Sequence, residues 1–431
     1  MKTNEARTLV LDDLEWRRMI ADHTDLDALR SAMASGPVTF YGGFDPTAPS
    51  LHFGNLVLLV TMRRLQLAGH RPIGLVGGAT GLVGDPSGRT SERALQSREV
   101  ISGWVDRVRS QVERYLSFEG ENAALVVNNL DWTAEMSAID WLRDIGKHFS
   151  VSRMLAKESV AARLEAGGIS YTEFSYQVMQ ALDFLELFRR HGCTLQLGGS
   201  DQWGNLTAGV DLIRRVESAT VHALATPLIT RPDGEKFGKS TGSTLYLDPE
   251  LTSPFAFYQW FLNVDDAVVG TYARVFSFRS HDEILGLEAA AQARPEAREA
   301  QRALAVEVTE LVHGPDATRS AVAGSEALFG GGDLHALDAA TLEAAFADLP
   351  RANVPSGSNG LPSVLDLLVE SGLSESRGQA RRVLGEGGAY VNNVRVADPA
   401  AVPDRSELLA GRWLLLRRGK RNLAVAEVTE P

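Results

Sequence analysis

Side chains able to bind or polarise a ligand concentrate in five short stretches of this chain. The first is Tyr41 to Asn55, YGGFDPTAPSLHFGN, where an apolar run ends in Gly42 and Gly43. It continues through a proline-broken loop holding Asp45 and Thr47, and reaches His52 and Asn55 as helical spacing begins. The first turn of a helix offers unbonded backbone N–H groups and the positive end of its dipole, so donors placed there suit a phosphate and the charge that develops on phosphorus. The second stretch, GGATGLVGDPSGR, presents Asp85 and is followed by Arg89 and Arg93. The third, YTEFSYQVMQALDFLELF, sets Tyr176, Gln180 and Asp183 four and then three residues apart. On a helix they share a stripe roughly 60° wide that runs for about 10 Å, the length of an aromatic amino acid, with room for an ammonium group at one end and a phenol at the other.

Apolar Val178, Met179, Leu182, Phe184 and Leu185 leave little of that helix for water, so its polar groups need internal or ligand partners. The alternative is a stripe that simply faces solvent. The fourth stretch, LQLGGSDQWGN, repeats the opening pattern: a strand, Gly198 and Gly199, an acidic residue, a helix. Asp201 just past a strand end suits ribose hydroxyls and Gln202 a substrate carbonyl, while Ser200 or Asp201 also fits a helix N-cap. The fifth, PDGEKFGKSTGS, carries Lys236, Lys239 and Ser240 in a glycine-rich loop.

Two nucleotide-binding patterns are excluded by spacing. The glycines at 74, 77, 78, 81, 84 and 88 contain no G-x-G-x-x-G trio, and only three residues separate Gly234 from Gly238 where a P-loop needs four. A nicotinamide oxidoreductase and a P-loop enzyme are thereby disfavoured.

These stretches need a frame that brings strand ends together. VTFYGGF, the helix from about Gly54 to Leu67 and the strand PIGLV predict a right-handed crossover and a parallel sheet. A helix over Glu99 to Phe118 and strands at Ala124 to Asn129 and TLQLGG extend the alternation. Residues 1 to 35 read as helical and carry no evident chemistry. Asp140 to Leu164 mixes apolar and basic residues outside the alternation, as an insertion with a dimer or RNA-acceptor surface would. From Ser253 the pattern is helical, ANVPSGSNGLP reads as a linker, and two short helices and a hairpin turning at Asn392-Asn393 follow.

At 431 residues several domains are expected, and 44% hydrophobic with 23% charged residues is the composition of a soluble globular protein. MKTNEARTLV lacks the order of a signal peptide, no apolar run is long enough to span a bilayer, and the single Cys193 fits a reducing compartment, so a cytoplasmic protein without membrane attachment is expected. The net charge of −12 argues against a surface that is basic throughout. From Arg351 onward, however, eleven basic and nine acidic residues give a balance of +2, with Arg377, Arg381 and Arg382 on one helix and Arg417, Arg418, Lys420 and Arg421 near the end. These are candidates for RNA phosphates.

His52-Phe53-Gly54-Asn55 resembles the HIGH signature of class I aminoacyl-tRNA synthetases, and KFGKS resembles their KMSKS loop. With GGATGLVGDPSG, SYQVMQALDF and LQLGGSDQWGN in the same order, the chain is similar to the bacterial tyrosyl-tRNA synthetase family over nearly its whole length. The resemblance implies an α/β fold with a Rossmann-like catalytic domain over 1–250, including a helical insertion at about 119–165. A helical anticodon-stem domain over 251–350, a linker over 351–361 and an RNA-binding module over 362–431 would follow. It implies a homodimeric ligase of protein biosynthesis that forms tyrosyl-adenylate from L-tyrosine and Mg-ATP and transfers tyrosine to tRNA(Tyr), with no tightly bound protein-ligated metal.

By the same resemblance Tyr41 and Asp183 hold the phenolic hydroxyl, Asp85, Tyr176 and Gln180 the ammonium group, and Gln202 belongs to the same pocket. Thr47, His52 and Asn55 contact ATP together with Gly43, Asp45, Gly198, Asp201 and Ser240; Lys236, Lys239, Arg89 and Arg93 grip the leaving pyrophosphate. A ligand without the hydroxyl would leave Tyr41 and Asp183 unpaired, an effect for which tyrosyl-tRNA synthetases are themselves the standard illustration, so no editing domain is needed. The chain departs from the class signatures at Asn55, which replaces the second histidine, and at Phe237-Gly238, which replace Met-Ser. Alternatives are a tryptophanyl-tRNA synthetase and a non-catalytic RNA-binding protein on a synthetase scaffold.

Overall fold

The computed structural model describes residues 2–85, 96–156, 160–161, 164, 168–229, 244–329, 332–347, 349–355, 360–419 and 422–429. The chain divides into two compact units, Met1–Leu251 with Asp265–Ala300, and Thr252–Val264 with Gln301–Pro431.

In the first unit strands β1 (Asp22–His23), β2 (Thr39–Phe44), β3 (Arg71–Val76), β4 (Leu125–Asn128), β5 (Cys193–Gly199) and β6 (His222–Thr226) form one sheet in the order β1-β6-β5-β2-β3-β4. All pairings are parallel except that of the short β1, which lines one edge antiparallel to β6. Parallel strands are buried on both faces, which is why these segments read as continuous apolar runs. The chain builds outward from β2 through β3 to β4, then returns to the other side of β2 with β5 and β6. The order therefore reverses between β2 and β5, where an open sheet leaves a ligand crevice beyond the strand ends.

The long helix Tyr171–His191 packs on this sheet through Val178, Leu182, Phe184 and Leu185, which share a core with Tyr41, Ile73, Leu75 and Cys193. Its N-cap is Ser170, whose side chain accepts from Glu173 N–H. Gly192, at φ 63°, closes its far end in the left-handed conformation. The glycines at the end of β2 serve two purposes rather than one. A Cβ on Gly42 would lie 2.6 Å from Met62 Sδ of the helix Phe53–Leu67, so Gly42 is small for helix packing. Gly43 is the one that leaves backbone exposed.

The second unit contains helices Pro254–Leu262, Pro315–Phe329 and Ala339–Phe346 and a second sheet. Its strands are β7 (Arg351–Pro355), β8 (Ala389–Val391), β9 (Val394–Val396), β10 (Trp413–Arg418) and β11 (Asn422–Thr429), in the order β7-β11-β10-β8-β9. The stretch read as linker from 351 thus begins with a strand, parallel to β11. The reason is period-2 burial, with Ala352 and Val354 inside, a signal masked by the Pro, Gly and Ser residues that follow. Asn392 and Asn393, at φ 47° and 67°, make the β8–β9 hairpin turn, as two-residue hairpins favour. Val364, Leu365, Leu368 and Leu384 of the helices Val364–Glu370 and Arg377–Gly385 complete this sheet's core with Leu414 and Leu416.

Candidate active site

Asp183 lies on the inward face of the helix Tyr171–His191 and is 2% exposed. Its two carboxyl oxygens accept separate donors, Asn129 Nδ2 at 3.0 Å and Trp132 Nε1 at 2.9 Å. Burial raises its pKa, these two bonds pull it back, and the charges of Asp45 and Glu186 raise it further, leaving it at about 7. The charge of Asp183 also reaches the Tyr41 hydroxyl, whose pKa is held well above its ordinary value, first by burial and then by that charge. Tyr41 packs its ring on Phe184 at 5.4 Å between centroids, and its hydroxyl, buried, has no hydrogen-bond partner among the described residues. Gln196 is the register neighbour of Tyr41 on β5, is fully buried, and likewise has neither amide atom bonded. An apolar core does not leave such groups unsatisfied without reason.

A second polar cluster adjoins the first through Asn129, whose Nδ2 also lies 3.0 Å from Thr80 Oγ1. Thr80 donates to Asp45 Oδ1 at 2.6 Å, and the hydroxyl of Tyr176 donates to Asp45 Oδ2 at 2.6 Å. The glycine-rich loop after β3 makes this possible: a Cβ on Gly77 would sit 2.0 Å from Asp45 Oδ1 and 2.3 Å from Thr80 Oγ1. Tyr176 is buried, and burial followed by the charges of Asp45 and Asp85 pushes its phenol well above the usual range. Asp85 accepts from Gln202 Nε2 at 2.5 Å, and Gln202 Oε1 accepts from Asn205 Nδ2 at 2.8 Å. Gln180, half-buried, lies one turn beyond Tyr176. Carboxylates grouped around the Tyr176 end of the stripe favour a cation there, while the Asp183 end offers a buried acceptor.

At the other end of the site His52 is the N-cap of the helix Phe53–Leu67. Its Nδ1 accepts from Gly54 N–H at 3.0 Å, so the neutral ring carries its proton on Nε2. Asn55 Oδ1 accepts from His52 N–H at 3.0 Å, completing a capping box with histidine in the place usually held by serine or threonine. Gly43, near the end of β2, and Thr47, on the loop between β2 and this helix, are exposed. Gly198 is buried at the end of β5 and its carbonyl accepts from Thr226 Oγ1 at 3.2 Å. Ser200–Gln202 is a turn of 3-10 helix and Gln202, with no side-chain cap bond, precedes the helix Trp203–Glu217. Neither Ser200 nor Asp201 caps that helix, because the tight turn carries the chain directly into it; Asp201 is exposed. Arg89, Arg93, Lys236, Lys239 and Ser240 lie outside the described residues.

Sequence reading missed Asn129, Trp132, Thr80 and Gln196. The signal available was the pair Asn128-Asn129 at the end of a parallel strand, directly before an LDW turn. Of the basic residues expected to meet RNA, Arg377, Arg381 and Arg382 are exposed. Arg377 pairs with Asp366 at 2.9 Å, Arg417 stacks over the Tyr390 ring at 4.1 Å, and Arg418 donates to Leu373 C=O at 2.7 Å. Lys420 and Arg421 lie outside the described residues.

A parallel sheet whose strand order reverses between β2 and β5, with a helix-capping histidine after one of these strands and a polar stripe on the helix before the other, is the arrangement of the class I aminoacyl-tRNA synthetases. The family model described as tRNA synthetases class I (W and Y) matches residues 33–330, and that of the tyrosine–tRNA ligase SYY-like C-terminal domain matches 341–426. The tyrosine–tRNA ligase of Streptomyces avermitilis is 60% identical over 424 residues, covering 98% of this chain and 99% of its own. That of Mycobacterium tuberculosis is 55% identical over 421 residues, covering 97% and 99%. The crystal structure of a C-terminally truncated Aspergillus nidulans mitochondrial tyrosyl-tRNA synthetase superposes with a TM-score of 0.69 at 29% identity, covering 76% of this chain and 98% of that one. The chain belongs to the tyrosine–tRNA ligase family.

Proposed function

We propose that this enzyme activates L-tyrosine with Mg-ATP to tyrosyl-adenylate and pyrophosphate, then transfers tyrosine to tRNA(Tyr), using the residues below. The observation that carries the reading is the buried Tyr41 hydroxyl without a partner among the described residues, set within the field of an Asp183 carboxyl held by Asn129 and Trp132. A substrate phenol fits between them, accepting from Tyr41 and donating to Asp183. Asp85, Tyr176 and Gln180 take the ammonium group, with Gln202 beside Asp85. The substrate carboxylate is already a competent nucleophile toward the α-phosphorus, so no general base is required.

The remaining task is alignment and charge stabilisation. His52 Nε2–H and the exposed backbone near Gly43 and Thr47 serve the phosphates, Asn55 holds His52 in place, and Asp201 serves the ribose. Lys236, Lys239 and Ser240, with Arg89 and Arg93, receive the pyrophosphate; magnesium enters with ATP as part of the substrate. Exposed Arg381 and Arg382 bind tRNA phosphates. Ile139, Leu142 and Val151, each at least 57% exposed, support a homodimer in which a second copy covers them. We place the enzyme in the cytoplasm; among the described residues no helix is long and apolar enough to cross a membrane.

The test is amino-acid-dependent ATP–pyrophosphate exchange with tyrosine, phenylalanine and tryptophan supplied separately. Exchange with tyrosine alone is expected; exchange with tryptophan would reassign Tyr41 and Asp183, and none with any of the three would favour an RNA-binding protein on the same scaffold. For the transfer step, Arg381→Ala and Arg382→Ala together should weaken tRNA binding and flatten its log–log salt dependence by about 2, leaving exchange unchanged.

A further inference from the structure

The peptide that delivers His52 to the site is bonded on every side. Phe53 N–H donates to Leu245 C=O at 2.8 Å and Leu247 N–H to Leu51 C=O at 2.9 Å, with His52 and Tyr246 bridging antiparallel between them. The N–H of His52 goes to Asn55 Oδ1 and its C=O accepts from Asn55 N–H at 2.8 Å. The one donor left in this run, Leu51 N–H, goes to a side chain from a different element, Gln111 Oε1, at 2.8 Å.

Gln111 sits on the helix Arg98–Tyr115 among buried Ile101, Val105, Val108 and Val112, and is itself 5% exposed. A long amide on an apolar helix face is unfavourable unless each of its atoms is bonded. Here Nε2 donates to Ser50 Oγ at 3.2 Å and to Asp248 Oδ2 at 3.4 Å. Buried Ser50 in turn donates to Leu51 C=O at 2.7 Å and accepts from Asp248 N–H at 3.2 Å. One amide therefore grips both strands of the ladder, the strand that ends in His52 and the strand that leaves the lysine-bearing stretch, since Leu245 follows Ser240 by five residues. A residue needed only to fill the core at this position would be apolar.

We propose that Gln111 is a positioning residue for adenylate formation: through Leu51, Ser50 and Asp248 it fixes the entry of His52 into its helix. The proposal rests on the assignment of His52 to ATP. It predicts that loosening Gln111 disturbs the ATP end of the site and leaves the tyrosine end alone.

The experiment measures pyrophosphate exchange, the KM values for ATP and tyrosine, and the melting temperature of the full-length enzyme for Gln111→Leu, Gln111→Glu, Asp248→Asn and the Gln111→Glu/Asp248→Asn double variant, with His52→Ala as reference. Gln111→Leu should lower kcat by about 10- to 100-fold with the tyrosine KM unchanged. Gln111→Glu sets a carboxylate against Asp248 and should be slow; in the double variant the polarity of the pair is reversed, a bond is regained, and kcat should return to within about threefold of the parent. If Gln111→Leu does not fold, Ser50→Ala removes a single hydroxyl and should show the same split to a lesser degree. A fall in melting temperature with kcat and both KM values intact, or an equal loss for tyrosine and ATP, would overturn the proposal while the assignment of His52 stands. Exchange unaffected by His52→Ala would overturn both.

Discussion

The pocket around Asp183 and the helix start at His52, assigned to one reaction in the function proposed above, are made of different materials. Around Asp183 the working groups are side chains, buried and bonded to one another across β4, the loop after β3 and the helix Tyr171–His191. Around His52 the structural bonds are mostly to main chain, and the surface is half open. A buried pocket can discriminate, because a ligand lacking one group strands a partner with no access to water. An open helix start holds a phosphate by dipole and backbone donors, which do not depend on what the phosphate is attached to. On the proposed assignment, selectivity belongs to the first region and generic nucleotide handling to the second.

The sharpest way to break this contrast is Asp183→Ala. It should lower kcat/KM for tyrosine by about 10³-fold or more and erase preference over phenylalanine, with the KM for ATP kept within a few-fold; equal losses for both substrates in exchange assays would show that the regions are not separable. The elevated pKa of Asp183 provides the next test. Because its carboxyl is held near 7 in the folded protein and near its ordinary value when unfolded, the folded state binds more protons between about pH 4 and 7. The contribution of this group to stability is therefore full below pH 4 and declines by a few kcal/mol as pH rises through 7. Thermal melts of the tyrosine-free protein at several pH values should show this slope, and Asp183→Asn should remove it.

Tyrosine binding should run the opposite way, tightening as pH rises through 7, because ionised Asp183 is the stronger acceptor for a phenol. Trp132→Phe removes a donor that favours the carboxylate, so it should shift that pH midpoint upward and cost about tenfold in kcat/KM at neutral pH; an unchanged midpoint would take Trp132 out of the network. The smallest expected effect is at the other end. Asn55→Ala breaks half of the capping box and should cost about 1 kcal/mol of stability and slow kcat by less than tenfold, with no change in the tyrosine KM.

How far the sequence could be read follows the same division. The strand β2, the helix after it and the Tyr176–Gln180–Asp183 stripe were legible because a buried strand and a helix each impose a period. The strand β1 was not, being two exposed residues with no pattern to detect. The roles of Asn129 and Trp132 were invisible because each depends on where β4 stops relative to a helix far along the chain, which no local spacing encodes. Gln111 escaped for a related reason: within its own helix it interrupts an apolar face, and its partners are set by a ladder between residues 51–53 and 245–247. Asn55, a departure from the signature when read as letters, becomes intelligible once it is seen bonding the N–H of His52.

One feature of the second sheet bears on how the chain matures on the ribosome. Strand β11 lies between β7 and β10, so the strand of that sheet to be synthesised last occupies an interior place. Arg351 emerges long before Val425, its register partner, and until then β7 has nothing to pair with. A nascent chain stalled after Arg418 but before β11 would present two unpaired strand edges, β7 and β10, as templates for aggregation. Completion of β11 closes both in one step, so this sheet gains its two longest-delayed pairings together.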